Sequence, residues 1–486
     1  MFSIMVIESR KDNMKIVRDI DPYIFRGYDI RGIAGENLTE DVAYTIGLSF
    51  GTKLANEGKT ICVVGRDNRL SSPMLANALI TGILETGTDV VDLGVCTTPM
   101  YYYACINNKI ESGIMVTASH NPKEDNGFKI AFDKSGNACG QDIQDFKDFT
   151  CHAEFKQGTS KHLYYDIKEE YFELMKSSIK MGPRHVKVVV DCGNGTTSLF
   201  AKDLYSQFPM DLTMMFDESD GSFPNHHPDP SVESNLEQLK KKVIELGADV
   251  GISFDGDGDR VGMVTNTGRF VPADQYMILM VRDIFQKSLN KKVLFDVKCS
   301  KALPDEIERL GGTYICYKTG NSYTKRETRE KDCVLGGELS GHIYFRDKFL
   351  GFDSGMYAGL RLVELLSNTD KTMDELLSDI PKYYATPEIK IATEDSKKFQ
   401  IVEKVKEYAY EKGYNINDID GVRVTFDKIP TSNTADENIQ SAYATGWALV
   451  RASNTGPNIT VRFEGSTEEA KEELQTEFMN VLNRYL

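Results

Sequence analysis

Short hydrophobic runs alternate with amphipathic stretches over the first three quarters of the chain. Residues 60–64 (TICVV), 89–93 (DVVDL) and 113–116 (GIMV) are apolar runs bounded by polar or turn-forming residues. Runs of this length and setting are typical of buried strands, and the stretches between them have helical periodicity. Strands that alternate with helices predict α/β units with parallel or mixed sheets.

The same layout is predicted in two further regions. Because the resemblance lies in layout and not in residue identity, we interpret the three regions as diverged copies of one strand-then-loop unit. Another helical stretch follows Asp353. The further predicted strands are 188–191, 248–254, 293–297, 314–317 and 332–335, and the predicted helices are 166–180, 235–246 and 300–310.

The C-terminal region has a different pattern. Residues 422–426 (VRVTF) and 459–463 (ITVRF) alternate between apolar and polar positions, and an amphipathic helix is predicted over 467–485. This pattern favours an α+β domain with an antiparallel sheet. A chain of 486 residues is too long for a single core. The predicted fold is therefore α/β, with three similar mixed-sheet domains (1–165, 166–271 and 272–386) and a C-terminal α+β domain (387–486).

Composition and charge exclude several classes of protein. The chain is 41% hydrophobic and 27% charged, as expected of a soluble globular protein, and its net charge is −16. That charge argues against nucleic acid or a membrane surface as the main partner, and no apolar run approaches the roughly 20 residues that span a bilayer. Residues 1–21 lack a sustained apolar core, so we interpret them as an N-terminal extension or helix and not as a signal peptide. The nine cysteines form no C-x-x-C pair, which predicts reduced thiols and a cytoplasmic protein.

Residues 116–122 (VTASHNP) are the first candidate for chemistry. The apolar run 113–116 ends abruptly in polar residues, and Asn121-Pro122 marks a turn. Ser119 is therefore predicted at the exit of a strand, where loops of open α/β sheets meet their ligands. An ordinary polar turn is the alternative for a serine considered alone.

Residues 255–260 (DGDGDR) directly follow a predicted strand. Three carboxylates this close repel one another unless a cation lies between them, and the intervening glycines allow their oxygens to converge. Oxygen ligands suit Mg²⁺ or Mn²⁺. An EF-hand is disfavoured because Arg260 and Asn266 stand where that loop needs Gly and Glu. A glycosyltransferase-type Asp-x-Asp motif stays an alternative.

Two more loops complete the set. Residues 337–342 (GELSGH) offer a carboxylate and a hydroxyl suited to sugar hydroxyls, and residues 451–458 (RASNTGPN) offer an arginine and backbone donors suited to phosphate. A hydroxyl, a divalent metal, a polyol-binding loop and a phosphate-binding loop together indicate phosphoryl transfer. Serine-hydrolase chemistry is disfavoured, because Thr117 and Asn121 replace the glycines of a G-x-S-x-G elbow. His226 and His227 are predicted surface residues, and a helix is predicted to be capped by Ser72 with Pro73 at its first position.

These four motifs, in this order, resemble the α-D-phosphohexomutase superfamily, most closely the bacterial phosphomannomutase/phosphoglucomutase group. The resemblance extends from residues 25–32 (FRGYDIRG) to the 451–457 loop. It implies four domains around a central cleft, with one loop from each. It also implies an isomerase that interconverts hexose 1-phosphate and hexose 6-phosphate of mannose or glucose through a phosphoserine and a hexose 1,6-bisphosphate.

The resemblance further implies a role for each site residue. Ser119 would carry the phosphoryl group, and one Mg²⁺ per chain would be held by Ser119, Asp255, Asp257 and Asp259. Lys129 would be a candidate proton carrier beside His120 and Arg260. Hexose 1,6-bisphosphate would be the activator, and the protein would be a monomer or dimer that binds a phosphosugar. The substrate-binding residues would be Tyr28, Arg31, Lys298, Lys325, Glu338, Ser340, His342, Arg451, Ser453, Asn454 and Thr455.

Two positions depart from the family pattern. Asn321 stands where many relatives have His and cannot titrate near neutral pH, and Ser354 replaces the second Asp of an Asp-Asp-Gly. Two alternatives to the predicted function stay open. One is a phosphoglucosamine mutase, whose relatives often differ at Gly258 and Leu339. The other is a catalytically silent phosphosugar-binding protein.

Overall fold

The computed structural model describes residues 3–4, 14–134, 136–394, 396–429, 444–453 and 456–486. The chain divides into two compact units. The first unit consists of Met1–Ala273 and Ser340–Leu376, and the second of Asp274–Leu339 and Leu377–Leu486. Across these described ranges, every helix is too short or too polar to cross a membrane.

The first sheet has the strand order β1-β8-β4-β3-β5-β6-β2, with β7 beside β6. Its central strands β8, β4, β3 and β5 are parallel, whereas β1, β2, β6 and β7 run antiparallel to their neighbours. The strands are β1 Ser3–Ile4, β2 Ile30–Ile33, β3 Ile61–Arg66, β4 Asp89–Val95, β5 Gly113–Val116, β6 Asp125–Asp133, β7 Gly136–Asn137 and β8 His162–Tyr164. The helices of this stretch are α1 Glu40–Asn56, α2 Ser72–Glu85, α3 Thr98–Asn108, α4 Gln141–His152 and α5 Lys168–Ser178.

The second sheet has the order β10-β9-β11-β12-β13. Strands β10, β9 and β11 are parallel, and β12 and β13 are antiparallel. The strands are β9 Val186–Asp191, β10 Met210–Met215, β11 Val250–Phe254, β12 Val261–Thr265 and β13 Phe270–Val271. The helices are α6 Ala201–Tyr205, α7 Glu237–Leu246 and α8 Ala273–Ile284.

In the second unit, three parallel strands have the order β15-β14-β16. The elements are β14 Lys292–Asp296, α9 Ala302–Arg309, β15 Thr313–Tyr317, α10 Asn321–Glu330 and β16 Leu335–Gly337. This order repeats β4-β3-β5 and β10-β9-β11, so the prediction of three similar α/β regions is confirmed.

The chain then returns to the first unit through β17 Ile343–Phe345, α11 Gly355–Ser367 and α12 Met373–Leu377. Helix α11 packs on β9, β11 and β12. Tyr205 donates a hydrogen bond of 2.9 Å to the Met356 carbonyl oxygen, which ties α11 to α6. This packing brings residues 340–376 to the second sheet.

The last sheet is antiparallel, with the order β18-β23-β22-β21-β20 and β19 also beside β23. Its elements are β18 Tyr384–Ala385, β19 Ile389–Ala392, α13 Lys398–Glu411, β20 Asn415–Asn417, β21 Val422–Ile429, β22 Ala444–Ala452, β23 Asn458–Gly465 and α14 Glu468–Leu482. Helices α13 and α14 bury Val405, Leu474 and Phe478 against the sheet. The predicted α+β domain with an antiparallel sheet is confirmed.

Several local predictions were wrong. The strand predicted over 332–335 begins only at Leu335, because Asp332 lies in a left-handed turn with φ +51°. Helix α2 begins at Ser72, so Ser72 does not cap it and Pro73 is at its second position. The Ser72 hydroxyl hydrogen-bonds Asp67 instead. Strands β6 and β22 were absent from the predicted strands.

One histidine prediction also fails. The side chain of His226 is only 9% exposed and its Nε2 lies 3.0 Å from Asp191 Oδ2, so it is no plain surface residue. His227 is exposed, as predicted. All nine cysteines are free thiols.

Candidate active site

Ser119 lies in the loop that follows β5. The strand is buried at all positions, and three residues later the backbone turns into the left-handed region at Ser119, with φ +51°. The amide of Ser119 donates a hydrogen bond of 2.8 Å to Thr117 Oγ1, which stabilises this turn. The hydroxyl of Ser119 donates to Asp255 Oδ2 at 2.7 Å, and His120 Nδ1 lies 3.4 Å from Ser119 Oγ.

The acidic loop, residues 255–260, lies between the antiparallel strands β11 and β12. Asp255, Asp257 and Asp259 are fully buried, and each offers an oxygen within 4.8 Å of the other two. The amides of Gly258 and Arg260 both donate to Asp255 Oδ1 at 3.1 Å. Burial raises the pKa of Asp255 well above its ordinary value, and the charges of Asp257 and Asp259 raise it further.

Lys129 on β6 supplies a positive charge to this loop. Its Nζ lies 2.7 Å from Asp257 Oδ2 and 2.6 Å from Asp259 Oδ2. Burial alone would lower the pKa of Lys129, but the two carboxylates raise it well above the ordinary value. Lys129 is therefore an ammonium group at neutral pH.

The acidic loop has the properties of a cation site. Thr98 Oγ1 and Thr117 Oγ1 also contact Asp257 Oδ2, whereas Asp257 Oδ1 is buried and has no hydrogen-bond partner among the described residues. A buried carboxylate oxygen without a donor costs free energy that a bound cation would offset. The donor set contains only oxygen, which fits a hard divalent ion such as Mg²⁺.

Arg260, at the end of the acidic loop, is hydrogen-bonded to the buried His342. Arg260 Nε donates to His342 Nε2 at 2.9 Å, so the proton of this imidazole is on Nδ1, which lies 2.8 Å from Asp353 Oδ2. The chain Asp353, His342 and Arg260 fixes the guanidinium 3.8 Å from Asp255. His342, predicted to bind substrate, thus supports Arg260 in this structure.

His120 and Arg31 flank the serine. Burial lowers the pKa of His120 well below its ordinary value, and the nearby charges of Arg260 and Arg31 lower it further, so the imidazole is neutral at pH 7. Arg31 on β2 donates to Asn121 Oδ1 and to Asp29 Oδ2, both at 2.6 Å. The bond to Asn121 ties Arg31 to the loop between β5 and β6, residues 117–124, which we call the serine loop. Tyr28 lies two residues before β2 and is half-buried.

The remaining predicted residues lie mostly in the second unit, where several cations are paired. Lys298 Nζ lies 2.8 Å from Glu388 Oε1, and Arg451 Nε lies 2.9 Å from Asp420 Oδ2. Burial would raise the pKa of Glu388, but Lys298, with Arg462 and Arg451, lowers it to about 2. These cations therefore surround Glu388.

The other described residues of this group are buried or half-buried. Glu338 is buried at the end of β16 and accepts a hydrogen bond from Thr324. Lys325 is half-buried on α10, and Ser453 is buried just after β22. Ser340 is half-buried and belongs to the first unit. Asn454 and Thr455 lie outside the described residues.

The structure brings one group of predicted residues together in the first unit: Ser119, His120, Lys129, Arg260, Arg31, His342 and the three aspartates. Thr98 was not predicted, although its hydroxyl lies 2.5 Å from Asp257 Oδ2. The two residues are 159 positions apart, and Thr98 lies in an ordinary helix start. No local pattern in the sequence could have found this contact.

The comparisons with known proteins agree with this fold. Four domain models of phosphoglucomutase/phosphomannomutase match the chain. They are α/β/α domain I at residues 22–150, domain II at 169–268, domain III at 272–384 and the C-terminal domain at 388–481. The class of protein is therefore that of the phosphohexomutases.

Individual relatives define the family more narrowly. The chain is 39% identical over 459 residues to a phosphomannomutase/phosphoglucomutase of Pseudomonas aeruginosa, covering 94% of this chain and 95% of the relative. It is 39% identical over 474 residues to a phosphoglucomutase of Neisseria meningitidis, covering 96% and 97%. A crystal structure of a phosphoglucomutase/phosphomannomutase family protein from Burkholderia thailandensis has a TM-score of 0.85 at 34% identity, covering 97% and 98%. The chain belongs to the phosphoglucomutase/phosphomannomutase family.

Proposed function

We propose that this protein interconverts the 1-phosphates and 6-phosphates of glucose, mannose or both, with Ser119 as the carrier of the phosphoryl group. The observation that carries the proposal is the contact of 2.7 Å between Ser119 Oγ and Asp255 in a buried carboxylate cluster. A hydroxyl beside such a cluster is suited to phosphoryl transfer, which depends on positioning and on charge stabilisation. The family membership supports the same reaction.

The proposed transfer moves one phosphoryl group from phosphoserine to the sugar phosphate. A hydroxyl oxygen of the sugar phosphate attacks the phosphorus of phosphoserine, the bond from phosphorus to Ser119 Oγ breaks, and the sugar becomes a 1,6-bisphosphate. The proton lost by the attacking hydroxyl balances the proton gained by Ser119 Oγ, so the net change is the exchange of one phosphoryl group for one proton. After the sugar reorients, the reverse transfer from its other end restores the phosphoserine.

The protonation states assign complementary roles. His120 is neutral and 3.4 Å from Ser119 Oγ, so its Nδ1 can exchange a proton with that oxygen. Lys129 is an ammonium group and can donate a proton or stabilise charge, but it is a poor base at pH 7. Because a raised pKa also makes the ammonium a weak acid, it supports Lys129 as a source of positive charge and hydrogen bonds more than as a proton donor.

Asp255, Asp257 and Asp259, with the serine phosphate, would hold one Mg²⁺. When bound, this ion supplies charge stabilisation at the transferred group. The unpartnered Asp257 Oδ1 supports this assignment.

A second group of predicted residues would bind the part of the substrate that does not react. Lys298, Arg451 and Ser453, together with Lys325, Asn454 and Thr455, would hold the second phosphate, and Glu338 with Ser340 would bind sugar hydroxyls. The clustering of Lys298 and Arg451 supports the phosphate site. Hexose 1,6-bisphosphate as the activator, a cytoplasmic location, a monomer or dimer, and the four domain boundaries belong to the same proposal.

The decisive experiment combines a substrate assay with a mass measurement. Turnover of glucose, mannose and glucosamine 1-phosphates is compared in the presence of Mg²⁺ and a trace of glucose 1,6-bisphosphate. The intact mass of the wild-type protein and of Ser119→Ala is measured alongside. We expect turnover of glucose or mannose phosphate and one added phosphate on the wild type alone.

Three results would contradict the proposal. Preferred turnover of the glucosamine substrate would favour a phosphoglucosamine mutase. Full activity of Ser119→Ala would exclude the phosphoserine mechanism, and no turnover of any substrate together with tight binding would indicate a silent binding protein.

A further inference from the structure

Arg69, in the loop between β3 and α2, contacts the backbone of the serine loop. Its side chain is fully buried, and its Nε lies 3.2 Å from Asp67 Oδ2. Its two terminal nitrogens donate to four backbone carbonyl groups of one short segment. The acceptors are the carbonyl oxygens of Ser119 (2.7 Å), Asn121 (2.7 Å), Pro122 (2.6 Å) and Asp125 (3.1 Å).

These bonds explain how the loop keeps an unfavourable shape. Ser119 has φ +51°, in the left-handed region that residues other than glycine rarely adopt. The turn directs several carbonyl oxygens to one buried point, where they would repel one another and lack donors. A guanidinium has five N–H groups in a planar fork and can satisfy such a set at once.

The backbone of the acidic loop also packs closely against the Ser119 carbonyl oxygen. A Cβ at Gly256 would lie 2.5 Å from the Ser119 carbonyl oxygen, so the two loops touch through backbone atoms. The Phe223 ring covers the guanidinium, with 5.3 Å from Arg69 Cζ to the ring centroid. The Ser119 carbonyl oxygen is thus fixed between Arg69 and the backbone of Gly256.

We infer that Arg69 is a positioning residue for phosphoryl transfer, which holds the serine loop so that Ser119 Oγ stays against Asp255. This inference rests on the proposed function, in which Ser119 carries the phosphoryl group. Arg69 touches none of the reacting atoms, because its contact with Ser119 is to the carbonyl oxygen and not to Oγ. Its effect is therefore on geometry and should appear in kcat.

The test uses Arg69→Lys in the full-length protein. Lysine keeps the charge beside Asp67, but its single ammonium has only three N–H groups and cannot serve four acceptors. A shift of about 1 Å in a reacting group costs about 10²-fold in rate, so we expect kcat to fall by about 10²-fold while KM changes less than about threefold. The phosphoserine content, measured by intact mass after incubation with glucose 1,6-bisphosphate, should fall in parallel.

Arg361→Lys is the matched control. Arg361 is equally buried in the same unit and pairs with Asp347 at 2.8 Å and Glu364 at 3.2 Å, but it lies on α11 and both of these partners are outside the serine loop. Both variants should lose thermal stability, and only Arg69→Lys should lose kcat. Equal kcat in Arg69→Lys and Arg361→Lys would overturn the inference.

A second variant covers the case in which Arg69→Lys does not fold. Asp67→Asn keeps the size of the residue that orients Arg69 but removes its charge, and it should lower kcat by about 10-fold. Unchanged kcat in Asp67→Asn, with Arg69→Lys unfolded, would leave Arg69 as a folding residue only and refute the inference. Failure of the proposed function is separate, because it would appear as a wild-type Ser119 that takes up no phosphate.

Discussion

The serine loop of the first unit and the loop between β22 and β23 of the second unit are held in a similar way but carry opposite charge. Arg69 donates to the carbonyl oxygens of three serine-loop residues and of Asp125. Lys398 Nζ donates to the carbonyl oxygens of Ser453 at 2.8 Å and Gly456 at 3.2 Å. In both loops a buried cation satisfies inward-facing backbone oxygens.

The charged side chains near these two loops differ. Ser119 contacts one of three clustered, buried carboxylates, and Lys129 is in direct contact with the other two. Around Arg451 the balance is reversed, because Lys298, Arg451 and Arg462 all act on Glu388. The net charge of the chain is −16, but negative charge is concentrated beside the serine loop and positive charge near the loop between β22 and β23. We expect changes around the serine loop to affect kcat and changes around the loop between β22 and β23 to affect KM.

Asp257→Asn should have the largest effect. The change removes one charge from the cation site and weakens the ion pair with Lys129, now 2.7 Å long. We expect Mg²⁺ affinity to fall by at least about 10-fold and kcat by about 10²-fold or more. The Mg²⁺ dependence of turnover and of thermal stability measures both.

Asp92→Asn is the control for this change. Asp92 is also buried in the first unit, but it pairs with His162 at 3.1 Å. It should keep the wild-type Mg²⁺ dependence. A flat Mg²⁺ titration in the wild type, or equal affinities in the wild type and Asp257→Asn, would contradict the assigned site.

Gly256→Ala should follow in size. Its Cβ would lie 2.5 Å from the Ser119 carbonyl oxygen, so the serine loop must move away from the acidic loop. We expect kcat to fall by about 10- to 100-fold with little change in KM. Gly247→Ala offers a comparison, since its Cβ meets no atom within 4 Å although its φ of +58° adds strain. That variant should lose stability but keep kcat, and the same loss of kcat in both would contradict the close-approach explanation.

Arg451→Lys tests the other side of the comparison. Lysine keeps the charge but loses the planar donor that contacts Asp420 at 2.9 Å and that suits a phosphate. We expect KM to rise by about 10-fold, whereas phosphorylation of Ser119 by glucose 1,6-bisphosphate should reach the same final level. Arg309→Lys, an exposed arginine of the same unit, is the control and should leave KM unchanged. A fall in kcat with unchanged KM would contradict the division of roles.

Much of the fold could be predicted from hydrophobic pattern. Strands such as β5 and β11 are continuous apolar runs, and the predicted helix 467–485 corresponds to α14, with Thr467 as its N-cap. The acidic loop was predicted because its chemistry lies in six consecutive residues. Local pattern suffices where burial and chemistry are both encoded by neighbours in the chain.

The rest depends on contacts between distant segments. Strand β6 was not predicted, because it contains polar residues such as Asn126 and Lys129 although it is almost fully buried. Lys129 can be buried there because it is paired with Asp257 and Asp259. Arg69 reads as a loop residue, and its role depends on carbonyl groups about 50 positions away. His226 is buried because Asp191, at the end of β9, accepts from it. Such partners have no signature at their own positions.

Glu388→Gln should have the smallest effect and tests the charge balance of the second loop through stability. Burial would raise the pKa of Glu388, but Lys298, with Arg462 and Arg451, lowers it to about 2 in the folded protein, below the roughly 4.3 of an unfolded chain. The ionised form therefore stabilises the fold above about pH 4.3, and this contribution is lost as the pH falls toward 2. Since 31% of the side chain is exposed, we expect a loss of no more than about 1 kcal/mol in the free energy of unfolding at pH 7. Urea unfolding of wild type and variant at pH 7 and near pH 3.5 measures this difference, which should shrink at the lower pH; a difference that grows as the pH falls would show that the second loop does not depend on an ionised Glu388.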